Sequence, residues 1–237
     1  MKANRMHCVL KLALVALCCS MLPLKAQTGG SLKADKFFEG SVYFSIRLTG
    51  DAAPLIAEMN DLDRMTWHLK DADYIIQLSP SIKSQQEPGR AAFASTRLYI
   101  ADSNEMYSMD MANQRAFRRE PVAEREAPGP PATAQPDSMV IAGTRCYAYQ
   151  VVKPNERIVF YISPKYRMNT ALFKGKTEAK IAFLTEGLDG CIPLRIERHT
   201  PEYTSIATAT KVVPRRLPKD DFRIPAHFRI EEFDYRR

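Results

Sequence analysis

Apolar and polar residues alternate with a period of two along almost the whole chain after residue 36. A β-strand turns successive side chains to opposite faces, so this pattern specifies half-buried strands rather than helices of period 3.6. In 41–49, Val42, Phe44, Ile46 and Leu48 fall on one face, with Tyr43, Ser45 and Arg47 on the other. In 64–70, Met65, Trp67 and Leu69 oppose Thr66, His68 and Lys70. In 192–199, Ile192, Leu194 and Ile196 oppose Arg195, Glu197 and His199. Further strands are expected near 73–79, 95–101, 104–109, 114–118, 138–142, 145–153, 156–163 and 202–213. One wet face per strand implies antiparallel pairing. The run Ile158, Val159, Phe160, Tyr161, Ile162 is apolar on both faces and is expected centrally in the sheet.

Turn residues separate these runs: Asp71–Asp73, Asp102–Asn104 and Pro154–Asn155. Such spacing predicts meandering hairpins. Two helices are expected to interrupt them. The first, 51–60, has Asp51 as a candidate N-cap, Pro54 in its opening turn, and Leu55, Ile56 and Met59 on one face. The second, about 176–186, groups Ile181, Leu184 and Leu188 and stops at Gly187. Residues 119–136 differ in kind, holding five of the sixteen prolines, five charges and no aromatic residue. That composition predicts a disordered loop joining two halves of one sheet, or alternatively a linker between two domains. A shorter polar loop is expected at 80–90.

The N-terminus reads as an export signal. Lys2, Arg5 and Lys11 precede an apolar run from Leu12 to Leu22, and a small residue, Ala26, follows. The run is too short for a bilayer that needs about 20 residues. Cleavage between Ala26 and Gln27 is expected, leaving 27–35 as a flexible N-terminus and 36–237 as a single β-rich domain. The full chain carries a formal charge of +7, but the signal contains four basic residues and no acidic one. The mature chain has 30 basic and 27 acidic residues, net +3, with the excess confined to a mixed-sign tail at 211–237. A balanced surface of this kind suits a soluble exported domain and removes the main support for nucleic-acid binding.

Three of the five cysteines, Cys8, Cys18 and Cys19, belong to the signal. Cys146 and Cys191 remain, and in an oxidising compartment they can form one disulfide, worth up to roughly 4 kcal/mol on the chain-entropy model. Two separate buried thiols are the alternative.

The opening FFEGSVYFSIRL, the strand IAGTRCYAYQV, the turn and strand GLDGCIPLRIE and the closing DDFRIPAHFRI together resemble a family of exported Bacteroidota proteins, domain of unknown function 4412. The resemblance covers about residues 36–233. In that family a cysteine typically stands at the position of Cys146, whereas Cys191 and the proline-rich loop are departures, which leaves the disulfide particular to this chain. The family is similar in architecture to periplasmic half-barrels of the LolA and LppX type. That similarity implies a curved antiparallel sheet or incomplete barrel of about 10–11 strands, two short helices on its concave face, and an apolar cavity between them.

Motifs for chemistry are sparse. The sequence contains no GxSxG, HExxH, P-loop, GxGxxG or CxxC pattern. His68, His199 and His227 are far apart and read as solvated, and Glu58, Asp61 and Asp63 read as a solvated helix end. No catalytic residue, cofactor or metal ligand is therefore expected. The reading is a non-enzymatic periplasmic or secreted protein, not transmembrane, that binds or carries a lipid or a lipoprotein. The alternative is a structural or interaction module of the cell envelope with a protein partner and no small-molecule ligand.

Overall fold

A computed structural model describes residues 37–60, 62–80, 95–119, 130–176, 181 and 187–232. The expected signal cleavage site at Ala26 and Gln27, residues 27–35, all but the first residue of the loop expected at 80–90, most of the proline-rich segment and all of the second expected helix but its beginning and Ile181 lie outside the described residues.

The alternating runs form strands close to where the pattern places them. They are β1 (Gly40–Thr49), β2 (Leu62–Lys70), β3 (Asp73–Pro80), β4 (Ser95–Ile100), β5 (Glu105–Asp110), β6 (Arg115–Arg118), β7 (Thr133–Ile141), β8 (Thr144–Lys153), β9 (Glu156–Arg167), β10 (Cys191–His199), β11 (Thr204–Pro214) and β12 (Arg229–Glu232). An α-helix, α1 (Ala53–Asn60), follows β1, Ile181 in the second expected helix is also helical, and short 3₁₀ turns occur at Thr170–Phe173 and Lys219–Phe222. Asp71 and Asn104 take positive φ at two of the expected turns, a conformation that Asp and Asn tolerate better than most residues. Residues 133–136, expected in the loop, instead begin β7. Pro136 sits where the β7–β8 register is irregular, so its missing N–H costs no ladder bond. Leu55, expected on the buried face of α1, is 60% exposed.

All the described strands belong to one curved, unclosed sheet in the order β12-β6-β5-β4-β3-β2-β1-β11-β10-β9-β8-β7. It consists of two antiparallel meanders, β1 to β6 and β7 to β11, joined where β1 pairs with β11 from Gly40↔Pro214 to Thr49↔Thr204. The first strand in sequence is thus central in space, while β9, buried on both faces over Ile158–Ile162 and expected centrally, is the third strand from the β7 edge. Gly40 makes the seam feasible: it has φ +150°, and a Cβ there would stand 2.2 Å from the Val213 carbonyl oxygen. The other edge is β12, four residues long and parallel to β6.

Among the described residues, three apolar clusters are built on this sheet. The largest takes one face of both meanders, with Val42, Phe44, Trp67, Leu69, Tyr74, Tyr99, Cys146, Ala148, Ile192 and Leu194, and it also receives Phe173 and Ile181. Alternation sends the intervening residues to the other face. There, Leu98, Tyr107, Met109 and Ala116 are covered by Leu217 and Phe222, with Ile224 and Phe228 alongside. At the opposite end, Ile158, Phe160 and Ile162 pack with Leu188 and Cys191, and Tyr149 and Val151 adjoin them.

Candidate functional site

Residues directly opposite in an antiparallel ladder share a face. Tyr147 is opposite Ile162, which is opposite Pro193; Tyr149 is opposite Phe160. These pairs lay an apolar surface across β8, β9 and β10. The turn before β10, with Asp189 and Gly190 both at positive φ, lifts Leu188 over that surface. Between them lies a cleft of about 260 Å³ lined by Tyr147, Tyr149, Ile162, Pro164, Gly187, Leu188, Asp189 and Cys191. One lip is fixed by Arg167, which donates to the Asp189 carboxylate (2.7 Å) and to its carbonyl oxygen (3.0 Å). The other lip, Tyr147, is 48% exposed, and Val140 on the neighbouring strand is 68% exposed. The cleft is just smaller than the roughly 300–1,000 Å³ of pockets that enclose a whole drug-sized ligand. Its size suits part of an apolar molecule, a ring or the end of a chain.

Burial pushes the Cys191 thiol above its ordinary value of 9.0. The protonated form is a poor nucleophile, so the cleft's thiol acts as a small apolar wall.

Cys146 and Cys191 do not come together. Both are free and buried. Cys146 lies on β8 in the main cluster, Cys191 on β10 in the outer one, and β9 runs between. Two strand spacings amount to about 10 Å, beyond the 7 Å or so that a disulfide can bridge between Cα atoms. The expected disulfide is therefore replaced by its alternative, two separate buried thiols.

The histidines expected in solvent behave differently from one another. His68 is half-buried, with Nδ1 2.8 Å from the Ser41 hydroxyl and Nε2 3.4 Å from Gln77 Oε1; burial holds its pKa below 6.5. His199 lies 3.3 Å from Glu197 and 3.2 Å from the Thr204 hydroxyl. His227 is exposed and stacks edgewise on Phe228. Asp63 pairs with its neighbour Arg64, both close to half exposed, while Asp61 and the Glu58 side chain lie outside the described residues.

A polar chain on the second meander escaped the sequence reading. The Arg195 Nε donates to Glu197 (2.6 Å), its Nη1 to the Thr208 hydroxyl (3.2 Å), and its guanidinium stands over the Tyr161 ring at 5.9 Å. Tyr161 in turn donates to Asp137 (2.7 Å), and burial together with that carboxylate pushes its pKa up to about 12. The signal was present in the spacing Arg195, Glu197, His199, which alternation alone assigns to a wet face. These groups satisfy one another, which makes the chain a brace between β7, β9, β10 and β11. No group of three or more metal-ligating side chains occurs among the described residues.

No family model matches the sequence, and no curated protein matches it. Among solved structures the chain is similar to PNGF-II, with a TM-score of 0.45 and 12% identity over 82% of this chain and 32% of that one. It is also similar to an uncharacterized conserved protein from Thermus thermophilus (TM-score 0.44, 7% identity, 81% and 90% covered). A third, LprF from Mycobacterium bovis, has a TM-score of 0.32 and 10% identity, with 76% and 89% covered. The chain thus spans about a third of the length of PNGF-II. Among the described residues no helix is long and apolar enough to cross a membrane.

Proposed function

We propose that the protein is an exported, non-enzymatic binding module of the cell envelope, and that it receives the apolar part of a lipid or of an acylated partner. The observation that supports this reading is the cleft over β8–β10, where two tyrosines, Ile162, Pro164 and Leu188 line a space open to solvent. Sites for small apolar molecules are concave and mostly apolar, with few polar groups to orient the ligand. The sole thiol in the lining is held protonated by burial, which favours binding over covalent chemistry. The resemblance to the exported Bacteroidota family, and through it to half-barrels of the LolA and LppX type, agrees with the same reading.

Native mass spectrometry of the protein purified from its own envelope is the direct test. The expected result is a co-purifying lipid or acyl mass, a mature chain that starts at Gln27, and saturable binding of a fluorescent fatty acid that Leu188→Asp abolishes. Protein that carries no lipid and takes up no probe overturns the binding reading and leaves a structural module. A retained N-terminal segment overturns the export reading.

A further inference from the structure

The segment that follows β11 crosses a half-buried histidine. Residues directly opposite in a ladder share a face, and His68 on β2 is opposite Ser41 on β1 and Ile75 on β3. Above Ser41 stands Arg215, whose Nη2 donates to the Ser41 hydroxyl (3.4 Å). Ile75 packs with the cluster that contains Leu217 and Phe222, and the 3₁₀ turn Lys219–Phe222 lies over β3 and β4. Residues 216–218 therefore pass from Ser41 to Ile75 over His68.

The hydrogen bonds around His68 run in one direction. An arginine donates and cannot accept, so the Ser41 oxygen is the acceptor in its bond to Arg215. Ser41 is fully buried, and the acceptor provided for its own proton is His68 Nδ1 at 2.8 Å. The ring proton then sits on Nε2 and points to Gln77 Oε1 (3.4 Å). This chain from Arg215 through Ser41 and His68 to Gln77 is complete only while the ring is neutral. A proton added at Nδ1 takes the acceptor from Ser41 and sets a positive ring beside Arg215.

The other charges on this face do not offset that cost. Lys70, two residues along β2, is held by Glu39 (2.8 Å), and Asp73 opposite it accepts from the Ala101 N–H (2.7 Å). Tyr43 and Lys211 stand one row away on β1 and β11, with Lys211 exposed. Burial is the largest influence on the ring and holds its pKa below 6.5. The Gln77 hydrogen bond opposes it, Arg215 adds to it, and Asp221 of the 3₁₀ turn, the weakest influence, opposes it.

We propose that His68 is an acid-sensitive latch for the segment 215–228: protonation of its ring frees that segment and uncovers the outer face of the first meander at Leu98, Tyr107, Met109 and Ala116. The device lies apart from the cleft on β8–β10 and does not depend on it. A base whose pKa is depressed in the closed state adds stability above its ordinary value, and that stability is lost as pH falls from 6.5 toward the depressed value. Glu39 also holds this segment, but its carboxylate titrates below 4.5, so the two effects separate by pH.

Hydrogen exchange at the Leu217 amide, which donates to Glu39, reads the latch directly. After correction for the intrinsic exchange rate, opening is expected to become up to about tenfold more favourable between pH 7.5 and pH 5.5. That is the ratio for a ring that stays neutral when closed and takes its ordinary value when open. Amides of the β8–β9 ladder are expected to keep their protection, and His68→Gln is expected to give the same Leu217 protection at both pH values. Leu217 protection that does not change with pH overturns the proposal, as does a response that survives in His68→Gln. Equal loss of protection in β8–β9 marks global destabilisation and overturns it too. Should His68→Gln not fold, NMR titration of the ring in the wild type decides: protonation at or above pH 6.5 in the closed protein overturns the latch, and protonation below 6.5 together with the Leu217 response supports it.

Discussion

The two ends of the sheet bury their outer faces by different means. At the first meander the chain's own segment after β11 folds back, and Leu217, Phe222, Ile224 and Phe228 cover Leu98, Tyr107, Met109 and Ala116. At the second meander Leu188 is the chief cover for Ile158, Phe160 and Ile162, and a cleft remains beside it. Both faces were written by the same alternation, so an apolar outer face by itself does not identify a site. What distinguishes them is the supply of covering residues. Among the described residues, one end has a ready-made lid in sequence, and the other keeps an open cleft.

The closed end should respond to truncation as a core does. Phe222 is among the largest fully buried side chains, and Phe222→Ala is expected to cost about 3–5 kcal/mol, read as a lowered denaturation midpoint. Ligand uptake at the cleft should be unaffected. Leu188→Ala reverses that pattern. Leu188 borders an existing space, so part of the new void already opens to solvent, and the cost is expected to be about 2 kcal/mol, at the low end for such changes. Binding of the apolar probe should weaken at the same time. If Phe222→Ala impairs probe uptake as much as Leu188→Ala does, the division into a closed end and an open end fails.

Glu39 ties the lid to the sheet. Its carboxylate accepts from Lys70 (2.8 Å) and from the Leu217 N–H (2.6 Å). The Lys70 hydrogen bond, together with that from Leu217, holds its pKa below 4.5. A carboxylate whose folded pKa is depressed adds stability above its unfolded value, and that stability disappears as pH falls through the folded value. Glu39→Gln is therefore expected to cost about 1–2 kcal/mol at neutral pH, less below pH 4.5, and nothing once wild-type Glu39 is protonated. Parallel urea titrations of wild type and variant across pH 3–7 measure this. A constant gap between the two curves would mean that the charge contributes nothing.

Strand existence was legible because alternation is a local property. The expected strands at 41–49, 145–153 and 192–199 lie within a residue of β1, β8 and β10. The sheet order was not legible in the same way, because the pairing of β1 with β11 joins residues about 160 apart and no periodicity marks it. The start of β7 was hidden by Pro136, which reads as loop but sits at a register break. Gly40 was unremarkable in sequence and acquires its role only when Val213 approaches it. The Asp137–Tyr161–Arg195 brace was hidden for a related reason. A polar residue at an alternating position looks identical whether it meets water, a partner or an apolar face.

The thiols sharpen the contrast between enclosed and open surface with little effect on stability. Cys146 is fully enclosed in the main cluster, and burial pushes its pKa up to about 11 from 9.0. Two pH units lower the thiolate fraction about a hundredfold, and only the thiolate reacts with alkylating agents. Cys191 is also shifted upward but lines the cleft, where a reagent can enter. Iodoacetamide followed by peptide mapping should therefore modify Cys191 before Cys146 in native protein, and both at once in denaturant without reductant. A fatty acid bound in the cleft should slow modification of Cys191 and leave Cys146 unchanged. Equal protection of both thiols would place the ligand against the main cluster instead, and loss of any difference between them would remove the open cleft from the second meander.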